Sequence, residues 1–340
     1  MKKKTVWIDI DNSPHVQIFE NIIKALEPDF NVLVTAKDYN QTLGLLKLKG
    51  IKYELFGRHP GANIFKKVFG NIFRAVRLAI WATGKNIDIS VCHGSRALIM
   101  ASKLTGIRSV VMFDYEHSER FLKTKFGKYL LVPSYLGKDY LVAMGYPEAK
   151  LTEYPELKES IYLPFYKNDP SMKERLKLDM NKIIVLLRPP SEVSHYNANV
   201  SYDLFSDLFD RLSTDGRLQV IFIPRYDSQK EKYKKFIERE NVILPKDVEE
   251  GLNLIYFSDL VISGGGTMNR EAAAMKTPVY SIFQGKKPKI DETLEKEGRL
   301  TFITNKEDIG RIIYKKKGDV NIESDKNTFD FIVNFIKDHA

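Results

Sequence analysis

The sequence predicts an α/β protein made of two domains, each built on a parallel β-sheet. Short apolar runs alternate with amphipathic stretches along the chain, which is typical of strands and crossover helices in parallel α/β folds. The chain has 340 residues, more than a single hydrophobic core usually supports. The alternation lapses over residues 154–170, where Pro155, Pro164 and Pro170 interrupt it, so we interpret this segment as the interdomain linker.

Six strands are predicted in the first half, with helices between them. Each is a short apolar run bounded by polar or turn residues. These strands are 5–10, 31–35, 51–55, 87–92, 109–113 and 129–132. Residues 15–26 carry apolar side chains at helical spacing and are predicted to form an amphipathic helix that starts after a Ser13 cap and Pro14.

The second half repeats the pattern and ends in an amphipathic helix. Its predicted strands are 183–187, 218–223, 242–244, 260–262, 279–283 and 300–303. Residues 328–336 place Phe329, Ile332 and Ile336 on one helical face, which must dock on another element. We therefore predict domains over residues 1–160 and 161–326, followed by a C-terminal helix over 327–340.

Composition and charge narrow the class of protein. Apolar residues make up 43% of the chain, which is enough for two packed cores. The single cysteine, Cys92, excludes a disulfide framework and indicates a reducing compartment; its apolar surroundings predict that it is buried and inert. An apolar run follows the N-terminal lysines, but Asp9 and Asp11 interrupt it. The run is therefore too short for a signal peptide or a membrane span. We therefore expect a cytoplasmic protein.

A glycine-rich turn gives the clearest functional signal. Three glycines follow the strand at 260–262 and precede an alanine-rich helix, whose first backbone N–H groups lack intrahelical partners and favour an anion such as a phosphate. The threonine and asparagine at the helix start can bind a ligand or cap the helix, and the glutamate one turn later is placed to reach a ribose hydroxyl. A tight turn without a ligand also uses glycines. The candidate nucleotide-binding residues here are Gly264, Gly265, Gly266, Thr267, Asn269 and Glu271.

Two arginines follow neighbouring strands of the same predicted sheet. Arg188 comes after the strand at 183–187 and Arg225 after the strand at 218–223. Parallel sheets bind ligands at the carboxyl ends of their strands, so both arginines are expected beside the glycine turn. A guanidinium binds phosphate through two parallel hydrogen bonds, and the pair would neutralise a diphosphate. The alternative for each is an ordinary surface arginine.

In the first domain, the loops after three strands carry candidate acid, base and sugar-binding groups. Histidine titrates near neutral pH and carboxylates accept protons, so these side chains are suited to general acid–base chemistry. Helix caps and surface charges are the competing interpretation. The candidate catalytic residues are His15, Asp114 and Glu116, and the candidate acceptor-binding residues are Asn12, His93 and His117.

The pair Asp9 and Asp11 at a strand end is also similar to the paired aspartates of haloacid-dehalogenase-type phosphohydrolases. That pattern has Gly-Thr after its second aspartate, whereas Asn12 and Ser13 follow here. The phosphohydrolase alternative is therefore disfavoured. No metal is expected, because no pair of residues matches the HExxH zinc spacing.

A basic, apolar stretch suggests a second kind of partner. Residues 56–87 contain no Asp or Glu, and the chain as a whole carries a net charge of +9, which favours anionic partners. A helix over 64–81 of this composition can lie on an anionic membrane at the inner face, or it can be a crossover helix that buries one apolar side. Nucleic acid is not expected, because no nucleic-acid-binding module accompanies the charge.

The glycine turn, followed by Glu271, Ala272 and Pro278, resembles the donor-nucleotide motif of GT-B-type enzymes. This superfamily includes the two-domain glycosyltransferases and the UDP-N-acetylglucosamine 2-epimerases. The whole chain is similar to an uncharacterised prokaryotic branch of that superfamily. The resemblance implies two Rossmann-like parallel-sheet domains facing across a cleft, with the C-terminal helix returning to the first domain. It also implies a UDP-like nucleotide whose diphosphate lies on the glycines and whose ribose binds Glu271.

The first-domain loops 92–96 and 114–116 resemble two catalytic loops of the epimerases, but Ser95 stands at the position of their catalytic aspartate. A hydroxyl is a poor proton acceptor near neutral pH, which disfavours epimerisation. The first hypothesis is therefore a nucleotide-sugar-dependent glycosyltransferase with a UDP-sugar donor in the second domain and an unidentified acceptor in the first. The alternatives are a UDP-amino-sugar 2-epimerase and a non-catalytic nucleotide-sugar-binding module. No separate cofactor is expected, since the nucleotide-sugar is a substrate.

Overall fold

The computed structural model describes residues 3–39, 41–58, 64–190, 198–318 and 325–340, and the side chains of all of these except 64–67 and 198–203. The chain forms two compact units. One comprises Met1–Phe165 together with Asp325–Ala340, and the other comprises Tyr166–Ser324. None of the helices in the described ranges is long and apolar enough to cross a bilayer.

The first unit is a seven-stranded parallel sheet connected by helices. Its strands are β1 (Thr5–Ile10), β2 (Asn31–Asp38), β3 (Glu54–Arg58), β4 (Ile89–His93), β5 (Arg108–Met112), β6 (Tyr129–Pro133) and β7 (Leu151–Tyr154). Its helices are α1 (Ser13–Leu26), α2 (Thr42–Leu48), α3 (Ile64–Ala82), α4 (Arg96–Thr105), α5 (Phe121–Phe126) and α6 (Lys138–Ala143), with 3₁₀ turns at Glu148–Lys150, Lys158–Ile161 and Leu163–Phe165. The strand order is β3-β2-β1-β4-β5-β6-β7.

The central strand β1 carries the core of this unit, and all six of its residues are buried. A parallel strand covered on both faces needs apolar residues at nearly every position, which explains the run Val6, Trp7 and Ile8. Trp7 donates its indole N–H to the Thr35 hydroxyl on β2 at 2.8 Å, so the polar atom of this buried ring is satisfied.

The predicted strands of the first half are all present. β1 has the predicted bounds, whereas β3 starts at Glu54, three residues later than expected. β7 was not predicted, because four residues next to the irregular segment give too short a pattern to detect. The cap of α1 is Asn12, whose side-chain oxygen accepts from Ser13 N at 2.9 Å, so the prediction of a serine cap is wrong. Cys92 is buried as predicted, and burial raises the pKa of its thiol well above the usual value.

The C-terminal helix α14 (Asn327–His339) belongs to the first unit, as the sequence predicts. Ile332 and Ile336 are fully buried, and α14 packs against α1 and β7. Polar contacts fix both of its ends: the Thr328 hydroxyl donates to the Pro155 carbonyl at 2.8 Å, and Lys337 Nζ lies 2.7 Å from Asp29 Oδ2. The amphipathic pattern of the last segment therefore reflects a real docking face.

The second unit is a six-stranded parallel sheet in the order β10-β9-β8-β11-β12-β13. Its strands are β8 (Ile183–Arg188), β9 (Leu218–Phe222), β10 (Val242–Ile243), β11 (Leu260–Ser263), β12 (Val279–Ser281) and β13 (Thr301–Phe302). Its helices are α7 (Met172–Arg175), α8 (Ala198–Thr214), α9 (Asp227–Lys232), α10 (Lys234–Ile237), α11 (Gly251–Phe257), α12 (Thr267–Ala274) and α13 (Lys289–Lys296), and a 3₁₀ turn spans Glu307–Arg311.

Aromatic rings from helices and strands fill the core on one side of this sheet. Phe209 on α8 stacks on Phe222 of β9 with ring centroids 4.9 Å apart, and Phe205 lies 4.8 Å from the Tyr233 ring. All six predicted strands of this half are present, and the two-sheet α/β fold class is confirmed. The carboxyl ends of β8, β9 and β11 come together at one edge of the sheet, since these strands are parallel neighbours.

Candidate functional site

The glycine turn connects β11 to α12 and packs tightly against the loop that follows β8. Gly264 donates its N–H to the Arg188 carbonyl at 3.1 Å. A Cβ atom at Gly264 would lie 2.3 Å from the Cα atom of Pro190, so only glycine fits here. The close approach of two backbones, rather than of a ligand, thus explains the first glycine of the turn.

The next two glycines are required by backbone conformation. Gly265 has φ +95° and Gly266 has φ +86°, a region that residues with a Cβ rarely adopt. A Cβ at Gly265 would also touch the Phe283 ring at 3.4 Å, whereas one at Gly266 would meet no described atom within 4 Å. The turn is therefore packed on one side and has open space at its last glycine, where α12 begins.

The start of α12 presents unpaired backbone donors. Gly266 is the N-cap residue, and no side chain in the described part of the chain caps the helix. Thr267 and Asn269 therefore do not act as caps, which removes the structural alternative for both. Asn269 is fully buried, and neither atom of its side-chain amide has a hydrogen-bond partner among the described residues; the same holds for the Ser263 hydroxyl at the end of β11. Buried polar groups normally have partners, so this helix start is suited to a polar ligand.

Arg225 is held beside the turn by the backbone. Its Nε donates to the Pro189 carbonyl at 2.8 Å, and its guanidinium lies 3.4 Å from the Gly265 carbonyl. Burial, and to a smaller extent the neighbouring charge of Arg188, lower the pKa of Arg225 to about 10. The group still carries its charge at neutral pH, and an anion between the two arginines would relieve their repulsion.

Arg188 and Glu271 complete this site. Burial lowers the pKa of Arg188, and the negative charge of Glu271 opposes that shift. Arg188 Nε is buried and has no hydrogen-bond partner in the ranges that the structure describes, and Glu271 is only 7% exposed. The structure thus brings the predicted nucleotide-binding residues of the second unit together at one edge of the sheet.

Sequence reasoning missed Gln229, which connects the loops of this site. Its side-chain carbonyl accepts from Arg225 N at 2.8 Å, and its amide donates to the Pro190 carbonyl at 3.1 Å. A glutamine on a short, charged helix gives no sequence signal for such a role. The buried ion pair between Arg270 and Asp291, at 2.9 Å, was missed in the same way; it anchors α12 to α13.

A chain of polar side chains lies at the carboxyl edge of the first sheet. His15 Nδ1 is 3.0 Å from Asp11 Oδ1, and the His15 ring lies 4.7 Å from the His93 ring. His93 Nε2 is in turn 3.4 Å from Asp114 Oδ1. Three of the predicted first-domain residues, His15, His93 and Asp114, are therefore brought together. Lys158, which sequence reasoning missed, closes the chain with Nζ 2.5 Å from Asp114 Oδ2.

The two histidines of this chain have different environments. Burial lowers the pKa of His93 to about 3, and the neighbouring His15 adds to the shift, so His93 is neutral at pH 7. Burial opposes ionisation of Asp11, but the hydrogen bond and charge of His15 outweigh it and lower the pKa of Asp11. The result is an ionised carboxylate that orients His15, the arrangement of a general base and its partner.

The remaining first-domain candidates lie at the edges of this chain. Glu116 is buried, with Oε1 3.8 Å from Nε2 of His117, whose side chain is one-third exposed. Asn12 serves as the N-cap of α1, so its structural role is established. In the part of the chain that the structure describes, no three His, Cys, Asp or Glu side chains are grouped as a metal site would require.

Asp9 and Ser95 belong to a buried cluster and not to the open edge. Arg74 binds both oxygens of Asp9, at 2.6 and 2.8 Å, and the Ser95 hydroxyl donates to Asp9 Oδ2 at 2.6 Å. Ser95 also caps α4 by accepting from Leu98 N. A carboxylate that is fully buried and bound through both oxygens by an arginine is poorly placed to attack a phosphate, which argues further against the phosphohydrolase alternative.

Comparisons with known proteins agree with this architecture. A UDP-GlcNAc 2-epimerase from Neisseria meningitidis, solved with UDP-GlcNAc bound, superposes with a TM-score of 0.78 at 14% identity, covering 98% of this chain and 100% of that one. The glycotransferase of kitacinnamycin superposes with a TM-score of 0.61 at 12% identity, covering 100% and 95%. These similarities show the fold, and they confirm the resemblance to GT-B-type enzymes.

A relative is found in Methanocaldococcus jannaschii. This uncharacterised protein is 24% identical over 351 residues, covering 98% of both sequences. The model of one protein family matches residues 4–340 of the chain. The chain therefore belongs to the family described as "Protein of unknown function (DUF354)".

Proposed function

We propose that this member of the family is a nucleotide-sugar-dependent glycosyltransferase that binds the diphosphate of a UDP-sugar at the start of α12. The convergence of three features on one turn carries the proposal: a helix start that no described side chain caps, two partly buried arginines, and a buried asparagine with no partner among the described residues. Unsatisfied buried donors and neighbouring like charges are costly, and an anion would accept from the helix N–H groups and from Asn269 Nδ2 and would neutralise the arginines. The fold shared with proteins that bind UDP-GlcNAc supports a uridine nucleotide.

The donor half follows from the chemistry of the leaving group. Transfer of the sugar releases a nucleoside diphosphate, on which negative charge develops as the glycosidic bond breaks. Backbone N–H groups of Thr267 and Met268 and the guanidinium of Arg188 or Arg225 would stabilise that charge without a metal. Glu271 would accept a hydrogen bond from a ribose hydroxyl.

In the acceptor half we propose His15 as the general base. Its Nδ1 faces Asp11, which leaves Nε2 to take the proton from an acceptor hydroxyl as that oxygen attacks the anomeric carbon. Asp114 is less suited to this role, because its carboxylate is held by Lys158. His93, neutral and with its ring 4.7 Å from that of His15, would help position the base, and Asn12 and His117 would line the acceptor side.

A 2-epimerase is the second candidate, because a protein of that activity shares the fold over nearly the whole chain. Ser95 argues against it, since a buried hydroxyl already donating to Asp9 is unable to act as a base. The two activities are separated by incubating the enzyme and UDP-GlcNAc in deuterium oxide. Epimerisation incorporates solvent deuterium into the sugar, whereas glycosyl transfer leaves the sugar protons unchanged. A module that binds the nucleotide-sugar without turnover incorporates no deuterium and forms no glycosylated product with any acceptor.

The experiment that tests the proposed site is a thermal-shift comparison of nucleotides and fragments. UDP, UDP-GlcNAc, ADP and inorganic pyrophosphate are added to the wild-type protein and to Glu271→Gln. A ligand of the native state raises stability by about 2.7 kcal/mol at a hundred times its Kd. We expect wild-type stabilisation by UDP compounds, and for Glu271→Gln a smaller shift with UDP but an equal shift with pyrophosphate.

The pyrophosphate arm is the internal control, since it lacks the ribose that Glu271 would bind. A protein that no nucleotide stabilises would contradict the proposed function. A Glu271→Gln variant that loses the pyrophosphate shift as well would show that Glu271 supports the turn rather than the ribose.

A further inference from the structure

Helix α3 exposes a continuous apolar face that no described element covers. Its members recur at helical spacing, and each is between 42% and 70% exposed. They are Val68, Phe69, Ile72, Phe73, Val76 and Ile80, called here the α3 apolar face. The side chains of residues 64–67 lie outside the described part of the chain. Exposed apolar patches of this kind mark interaction sites in soluble proteins.

The crossover role of α3 does not require this face. The opposite side of the helix already packs on the unit through Ala75, Leu78 and Ala82, which are buried. Arg74 is buried on that side too, bound to Asp9, so it is not one of the exposed basic residues that the sequence suggested. A helix that is apolar on both sides, yet packed on only one of them, has a second surface to bury.

Positive charge borders the face. Arg77 is exposed, with its guanidinium 5.9 Å from the Phe73 ring, and Lys85 lies over the Trp81 ring at 4.7 Å. The absence of Asp and Glu from residues 56–87 leaves this segment uniformly basic. The Arg58 side chain, at the end of the neighbouring edge strand, is 83% exposed.

The adjoining helices extend this charge. α4 packs against both α3 and α5. Lys103, Lys125 and Lys128 are exposed on or next to α4 and α5, and their charges add to burial in lowering the pKa of Lys150. Leu104 on α4 is also 66% exposed. Exposed apolar side chains bordered by lysine and arginine therefore occur on more than one helix of this layer.

From this combination we propose that the α3 apolar face docks on an anionic lipid bilayer, with its phenylalanines inserted among the headgroups and the arginines and lysines bound to lipid phosphates. Apolar area buried at the interface and attraction to anionic lipid are the two contributions that hold peripheral helices on membranes. The helix lies on the surface and does not span it.

A second copy of the chain is the competing occupant, and charge disfavours it. A two-fold interface places each patch against itself, so the exposed Arg77 of each copy would meet the segment 56–87 of the other, which contains no Asp or Glu. An anionic bilayer satisfies both the apolar and the basic part of the patch.

The test is flotation of the full-length protein with vesicles of phosphatidylcholine alone or mixed equally with phosphatidylglycerol. The wild-type protein is expected to float with the anionic vesicles and to be released by salt. The double variant Phe69→Ser/Phe73→Ser should reduce the bound fraction by more than about tenfold, because two inserted rings are lost. Leu48→Ser, which removes an equally exposed apolar side chain from α2 (78% exposed), is the matched control and should bind like the wild type.

Ile80→Ser, a single change at the far end of the face, gives a milder variant in case the double variant folds poorly. Wild-type protein that stays with the pellet, or a double variant that floats equally well, overturns the proposal. If light scattering shows that the wild type is a dimer and that the same substitutions make it a monomer, the membrane proposal is overturned and a second copy of the chain is the occupant of the face. Failure of UDP to bind leaves these outcomes unaffected, since the face contains none of the residues proposed for the nucleotide.

Discussion

At the scale of single residues, Asp9 shows how a buried partner decides what a side chain does. Its carboxylate accepts from Arg74, Ser95 and Thr35, which satisfies both oxygens. If position 95 carried a carboxylate, that group would lie within hydrogen-bond distance of Asp9. Arg74 alone would then have to neutralise two negative charges. The serine at this position is therefore coupled to the buried pair, and the loss of an epimerase-type aspartate has a structural reason.

The sequence could not reveal this cluster, because its members lie far apart in the chain. Arg74 is 65 residues from Asp9 and sits in a helix whose composition is basic throughout. Periodicity places a residue on a helix but does not identify its partner in a distant strand. The same limit applies to Lys158 and Asp114, whereas the approach of His15 to His93 follows from the shared edge of parallel strands.

His93 gives a prediction on acid stability. Its pKa falls from 6.5 to about 3 on folding, because the burial of its ring disfavours the charged form. The unfolded chain therefore binds more protons than the native state between these values, so stability falls as the pH is lowered through that window. The expected loss is up to about 1.4 kcal/mol per pH unit.

The measurement is denaturant midpoint against pH for the wild type and His93→Gln. Carboxylates also titrate in this range, so the difference between the two curves is the relevant quantity. The stability of the wild type relative to His93→Gln should fall steadily as the pH is lowered below 6.5. Parallel curves for wild type and His93→Gln would contradict a buried neutral histidine.

At the scale of secondary-structure elements, the β11–α12 turn and helix α3 show what the residue pattern of the sequence can predict and what it cannot. Three glycines between an apolar strand and an alanine-rich helix predicted a ligand-binding helix start, and the structure has an uncapped helix there. The reason for the first glycine was not predictable, since it depends on Pro190 from another loop. For α3, the sequence predicted the helix but not which side is buried, because apolar residues occur around its circumference.

The packing of the turn leads to a prediction for Gly264→Ala. The added methyl group would overlap the backbone of Pro190, so the loops after β8 and β11 must separate. Overpacking of this kind costs about 1–3 kcal/mol. The denaturation midpoint should fall accordingly, and UDP should bind more weakly because the position of Arg188 shifts with its loop.

Gly216→Ala is the control in the same unit, since its Cβ would meet no described atom within 4 Å and its φ is not positive. Its midpoint should stay within about 0.5 kcal/mol of the wild type. An equally stable Gly264→Ala would show that the turn has more room than its contacts indicate.

At the scale of the whole molecule, the sequence predicted the architecture well. Twelve apolar runs in two series match twelve strands of two parallel sheets, because each parallel strand needs its own apolar run and its own crossover. The seventh strand of the first sheet escaped detection because it is short and at the sheet edge. Family and fold comparisons agree with the resemblance, while the proposed reaction depends on side chains whose pairing only the structure shows.

Two surfaces of the molecule carry its proposed functions. The nucleotide site lies at the carboxyl edge of the second sheet, and the α3 apolar face lies on the helical layer of the first unit. They share no residues, so each can be removed by substitution without touching the other. This separation allows nucleotide binding and membrane docking to be measured in one set of variants.

The most direct test of the central claim is a calorimetric titration of the protein with UDP. Wild-type protein should bind UDP, and Arg225→Gln should weaken binding by at least about tenfold, or about 1.4 kcal/mol, because a charge-assisted contact to phosphate is lost. Arg217→Gln, on an exposed arginine at the other end of β9, should leave the Kd unchanged. Equal affinity in wild type and Arg225→Gln, or no binding of UDP to the wild type, would contradict an anion site at the start of α12.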